Sequence, residues 1–169
     1  ELSTEDVRRI LAEAADLGAL TVRFTGGEPL IRDDFEDIYL FARQKGLRVL
    51  LFTNACLITP QLADLFAKIP PLEKIEVTVY GINQKSYEAV TRVGGSYVQF
   101  RKGLDLLQDR NIPFVVKGVF LPPNRNEVEQ IGQWASTLPD MDKPLIFSFF
   151  LDLRARRDSP PKNQMIKSL

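Results

Sequence analysis

The stretch Thr25-Gly26-Gly27-Glu28-Pro29-Leu30 follows a weakly alternating apolar run, Leu20 to Phe24, and precedes an amphipathic segment that starts near Asp33. Strand, tight turn, helix is the order this pattern predicts. Two consecutive glycines let the backbone take a positive φ or bring its N–H groups close to a ligand. Glu28 then sets a carboxylate at the carboxyl end of the strand, and Pro29 stiffens the exit. A pocket edge of this kind suits a small cationic group such as an α-ammonium, where a charge-assisted hydrogen bond contributes about 1.5–3 kcal/mol. A tight turn carrying an exposed Glu fits the same six residues, so the neighbouring segments must decide.

Those segments repeat the pattern. Val7, Ile10, Leu11, Ala14 and Leu17 share a helical face over residues 4 to 17, with Gly18 as the stop. Past the turn, Asp33 to Glu36 resembles a capping box opening a helix that turns Phe35, Ile38, Phe41 and Ala42 inward and ends at Gly46. Leu47 to Thr53 reads as a buried strand, and Thr59-Pro60 as cap and first residue of the next helix. Lys74 to Tyr80 is a third strand, followed by helices from Asn83 to about Arg92 and from Tyr97 to Arg110, with Gly94-Gly95 between them. A strand from Pro113 to Leu121, a helix from Asn126 to Leu138 and a strand from Leu145 to Leu151 complete the series. Strands that alternate with helices are expected to be parallel and joined by right-handed crossovers, as an α/β barrel or an open α/β sheet. In either case ligands sit at the carboxyl ends of the strands. The residues there are Gly26, Gly27 and Glu28; Thr53 and Asn54; Thr78 and Tyr80; Lys117 and Asn124; and Ser148 and Asp152.

Composition narrows the partners. The 169 residues are 44% hydrophobic, enough for one substantial core. Lys+Arg 22 balances Asp+Glu 22, so a small-molecule ligand is expected rather than a basic nucleic-acid face or a membrane-surface helix. No apolar run approaches the roughly 18 residues needed to span a bilayer and the start at Glu1 shows no signal-peptide pattern, so a cytoplasmic setting is expected. Cys56 is the single cysteine and histidine is absent, which excludes an internal disulfide and a Cys/His zinc site. The absence of Met at position 1 and the helix signal at Ser3-Thr4-Glu5-Asp6 suggest a piece of a longer protein.

Several of these segments together resemble the radical S-adenosylmethionine (radical SAM) enzymes: Val22 to Leu30, Thr53-Asn54, Val77-Thr78-Val79-Tyr80-Gly81, the Gly94-Gly95-Ser96 break and Arg101 to Leu107. The resemblance implies a partial TIM-like (βα)6 barrel in which the present strands are the second to the sixth and the first is missing. It also implies two cofactors, S-adenosyl-L-methionine and a 4Fe-4S cluster held by a CxxxCxxC loop after that first strand. The cluster reduces the sulfonium to give a 5′-deoxyadenosyl radical that abstracts hydrogen from a substrate, and an electron donor is a partner. Carried over by position, Gly26, Gly27, Glu28 and Pro29 match the segment that binds the cofactor's amino group. Thr78 matches a position that contacts the ribose or carboxylate, Lys117 a basic side chain used for the carboxylate, and Asn54, at the end of the next strand, is expected among the cofactor-binding residues. Lys117 could equally be a barrel-interior charge paired with Glu76. Tyr80 departs from the common Asp, Ala55 replaces a Gly, and Arg92 reads as a solvated helix end. With one cysteine, the chain alone is expected to be inactive.

The expected organisation is a core barrel over 1–152 and a barrel exit over 153–169 that begins a cysteine-rich C-terminal extension, as in members that modify ribosomal peptides or mature other enzymes. A non-catalytic degenerate barrel that binds a peptide or partner is the competing reading. A missing first strand would leave Leu20 to Thr25 as an exposed edge, so self-association is expected.

Overall fold

The structure is a computed structural model that describes residues 2–119 and 121–139 and the backbone of 146–148. In chain order the elements are α1 (Thr4–Asp16), β1 (Thr21–Phe24), a 3-10 turn (Pro29–Ile31), α2 (Phe35–Gln44), β2 (Arg48–Thr53), α3 (Pro60–Lys68) and β3 (Leu72–Val79). Then come α4 (Gln84–Thr91), α5 (Ser96–Asp109), β4 (Phe114–Val119), a 3-10 segment (Pro122–Glu127), α6 (Val128–Ala135) and β5 (Ile146–Ser148). The strands follow the order β1-β2-β3-β4-β5, and β1 with β2, β2 with β3, and β4 with β5 pair in parallel. This is the α/β fold of a partial TIM-like barrel, five parallel strands with helices between them. The chain divides into two units, Glu1–Val77 with Gln99–Val115, and Thr78–Val98 with Val116–Leu169.

In the first unit, register decides which side chains meet the helices. Phe24 lies opposite Leu51, and Leu51 opposite Ile75. These residues share a face because side chains alternate along a strand. Phe24 meets Phe35 of α2 edge-on at 5.8 Å, so this face looks toward the helices. Val49, Leu51, Ile75 and Val77 are fully buried on it. Tyr39 continues the aromatic contacts from α2 to Phe66 of α3 at 5.1 Å, and its hydroxyl donates to the Ile69 carbonyl at 2.5 Å. Burial pushes the Tyr39 phenol well above its ordinary pKa, with Arg43 pulling weakly the other way. On the opposite face Arg23 stacks over the Phe52 ring at 5.2 Å.

Several helix ends follow the sequence. Thr59 accepts from the Leu62 N–H at 3.1 Å and Asn83 from the Ser86 N–H at 3.1 Å, each capping its helix. The capping box expected at Asp33 to Glu36 does not form. Asp34 is the N-cap residue but makes no side-chain cap bond. Its carboxylate is taken instead by Arg32, through Nε at 2.8 Å and an Nη at 2.7 Å, and by the Thr4 hydroxyl at 2.5 Å. The Arg32 guanidinium, then the Thr4 hydroxyl, lower the Asp34 carboxyl to about 2. A fixed salt bridge that also engages the start of α1 has displaced a local cap. The last strand is described only as Ile146–Ser148, and Asp152 with residues 153–169 lies outside the described residues.

Candidate cofactor site

Glu28 is the hub of the first unit's strand ends. Its Oε1 accepts the Thr53 hydroxyl at 2.8 Å and the Leu30 N–H at 3.1 Å, and its Oε2 accepts the Asn54 N–H at 2.7 Å. The turn after β1 is thereby tied to the end of β2, and the carboxylate caps the 3-10 turn that Pro29 begins. A carboxylate has room for about four donors, so Oε2 can still receive one more. Thr53 is buried at 3% exposure, and its oxygen also accepts the Ala55 N–H at 3.0 Å. Its single proton is therefore directed to Glu28. The sequence placed Thr53 at the strand end but did not foresee this bond; a hydroxyl at the end of the strand next to an acidic turn was the available signal.

Gly26 and Gly27 are exposed. Gly26 has a φ of +127°, and a Cβ on either glycine would meet no atom within 4 Å. This pair therefore serves backbone conformation and open space above the turn, not internal packing. A small group with an ammonium donor could approach the two glycines and the remaining capacity of Glu28 together.

Asn54 turns its side chain back, accepting the Cys56 N–H on Oδ1 at 2.9 Å, an Asx turn. Ala55, in the place of a glycine, takes a φ of +62° and is fully buried. Its carbonyl lies so close to Gly103 of α5 that a Cβ on Gly103 would overlap it. Cys56 is half-buried in this loop. It borders a groove of about 460 Å³ together with Thr59, Pro60, Lys102, Asp105 and Asp109, which none of Gly26 to Pro29 lines.

Gly26, Gly27, Glu28, Pro29 and Asn54 are thus brought together in the first unit. Thr78, half-buried near the end of β3, and Lys117, half-buried on β4 opposite Ile146, belong to the second. Arg92 ends α4 in the left-handed region, with a φ of +59°, and is exposed. In the second unit the turn after β3 has its own polar anchors, Asn124 and Glu127. Among the described residues no group of His, Cys, Asp and Glu is arranged to hold a metal ion, so the residues present do not fit a 4Fe-4S cluster. The acidic, glycine-flanked turn keeps one acceptor position of Glu28 open beside two side-chain-free residues, a donor set whose chemistry suits a small ammonium group.

A parallel α/β sheet with this turn at its strand ends defines the class of protein, and comparison supplies the family. The Radical SAM superfamily model matches residues 1–135, and the chain belongs to that superfamily. It is 26% identical to the AdoMet-dependent heme synthase of Methanosarcina barkeri over 82% of this chain and 39% of that protein. It is 29% identical to the PqqA peptide cyclase of Bradyrhizobium diazoefficiens over 85% of this chain and 37% of that protein. In fold it is similar to Streptococcus suis SuiB bound to the precursor peptide SuiA, with a TM-score of 0.67, 19% identity and coverage of 79% of this chain and 30% of that one. The chain spans well under half the length of these proteins. No helix among the described residues is long and apolar enough to cross a membrane.

Proposed function

We propose that this chain is the cofactor-binding part of a radical SAM oxidoreductase core. In this reading the backbone of Gly26 and Gly27 and the carboxylate of Glu28 hold the α-ammonium of S-adenosyl-L-methionine, with Pro29 fixing the exit of the turn. Thr78 serves its ribose or carboxylate, Lys117 its carboxylate, and Asn54 belongs to the same binding set. The observation that carries the reading is the Glu28 carboxylate, fixed by the Thr53 hydroxyl and the Asn54 N–H beside an open glycine pair. When bound and given one electron by the cluster, the cofactor would release methionine and supply a 5′-deoxyadenosyl radical for hydrogen abstraction. The chain's own contribution is binding and orientation: two oxygens already aligned by internal donors lose little entropy on receiving one more.

The cluster, the electron donor and the substrate lie outside what these residues provide. A peptide substrate is favoured by the similarity to a peptide cyclase. The barrel core over 1–152, an extension from 153 and a cytoplasmic setting are parts of the same proposal. The chain alone, with Cys56 as its only cysteine, is expected to be inactive.

The test uses the full-length protein prepared without oxygen. Iron and sulfide content, then 5′-deoxyadenosine formation from S-adenosyl-L-methionine with a reductant, are expected to be positive. Glu28→Ala is expected to raise the cofactor's Kd by about tenfold or more. A folded protein with neither cluster nor cleavage would instead be a degenerate, partner-binding barrel.

A further inference from the structure

The 3-10 segment Pro122–Glu127 carries two polar side chains that converge on one turn, residues 80 to 86, within the second unit. Glu127 accepts the Ile82 N–H at 2.9 Å and the Ser86 hydroxyl at 2.7 Å on Oε2, and the Asn83 side-chain amide at 2.6 Å on Oε1. Asn124, 1% exposed, donates to the Tyr80 carbonyl at 3.0 Å and the Val119 carbonyl at 2.6 Å, and accepts the Leu121 N–H at 2.7 Å. Tyr97 adds a hydrogen bond from its hydroxyl to the Ile82 carbonyl at 2.8 Å. At the centre of the turn, Gly81 has no room for a side chain: a Cβ would lie 2.6 Å from the Tyr87 nitrogen and overlap the Ser86 hydroxyl.

This is more restraint than a surface turn needs. The groups it fixes directly follow Thr78 and Val79, at the carboxyl end of a parallel strand, where a ligand of this fold lies. We propose that Glu127 and Asn124 are positioning residues that hold the Tyr80–Ile82 turn in the conformation that receives S-adenosyl-L-methionine. The inference rests on the cofactor reading above and deepens it. Neither side chain is assigned a contact with the cofactor; each acts through the backbone it holds. Glu127 cannot be replaced by its amide without loss. The Ile82 N–H and the Asn83 amide sit on different oxygens and can only donate, so an NH2 at either position would face a donor, and Asn83 cannot rotate its carboxamide, because its oxygen caps the Ser86 N–H.

The experiment uses the full-length protein and reads cofactor affinity by calorimetry and amide exchange of a peptide spanning 80 to 87. Glu127→Gln and Asn124→Asp are expected to speed exchange in that peptide and to raise the Kd of S-adenosyl-L-methionine roughly three- to thirtyfold. Ser86→Ala, which removes one of Glu127's three donors, should give a smaller change in the same direction and serves if a first variant fails to fold. Faster exchange with unchanged Kd, or unchanged exchange, would overturn the inference. Glu28→Ala is measured alongside. If it weakens binding and Glu127→Gln does not, the positioning role alone fails; if neither does, the pocket itself is misassigned.

Discussion

Glu28 in the first unit and Glu127 in the second are both half-buried carboxylates, and each accepts three hydrogen bonds from its own chain. Their neighbouring glycines serve opposite ends. Beside Glu28, Gly26 and Gly27 face open space, so the missing side chains leave room for something outside the chain. Beside Glu127's turn, Gly81 is pressed against Ser86 and Tyr87, so the missing side chain makes room for the protein itself. A glycine in a motif is thus ambiguous until its surroundings are known. The first kind keeps the space above a turn open, and the second lets two parts of the backbone meet.

Substitution separates the two directly. Gly81→Ala forces backbone against backbone and is expected to cost about 3 kcal/mol in denaturant unfolding. Gly27→Ala meets no atom and is expected to change stability by less than about 1 kcal/mol while weakening cofactor binding. Equal losses of stability at both positions would break the contrast. Thr53→Val comes next. It strips Glu28 of one donor and leaves the buried Ala55 N–H without its acceptor, a loss of about 2 kcal/mol that Thr53→Ser should largely restore. A Ser variant as damaged as the Val variant would show that the methyl group, not the hydroxyl, is what matters.

A third test concerns acid. The Asp34 carboxyl is lowered to about 2 by Arg32 and then Thr4. A group with a depressed folded pKa contributes stability that is present above its unfolded value, near 3.8, and lost as pH falls through about 2. Asp34→Asn should flatten the acid limb of the stability profile in that window, measured by thermal unfolding against pH, and leave neutral-pH cofactor affinity unaltered. The smallest effect is expected at Ala55, whose φ of +62° suits glycine better. Ala55→Gly relieves that strain but loosens the unfolded chain, so a gain below about 1 kcal/mol is expected from urea titration.

Much of the fold was legible because strands and helices alternate and the caps are local. Thr59 and Asn83 cap as their positions predict, since a cap needs only the next three residues. The expected box at Asp33 to Glu36 fails because the helix starts after Asp34, whose carboxylate is held by Arg32 and also by Thr4, remote in sequence. The site was legible to a similar depth. The Gly-Gly-Glu turn could be read from its position after a strand, whereas Thr53's bond to Glu28 spans 25 residues and depends on parallel pairing of β1 with β2. Asn124 follows a strand end, but its reach to the Tyr80 carbonyl spans 44 residues, and Glu127 carries no local pattern that sets it apart from a solvated helix-start carboxylate.

Tyr39, buried in the first unit with its hydroxyl on the Ile69 carbonyl, has a consequence in alkali. Its phenol ionises far less readily in the folded chain than the ordinary value of 10.0, chiefly because burial disfavours the anion. The unfolded chain therefore sheds that proton first, and stability drains away as pH climbs above about 10. The phenolate absorbance of this one ring would then appear only as the unit opens, a built-in optical clock for unfolding that needs no added dye.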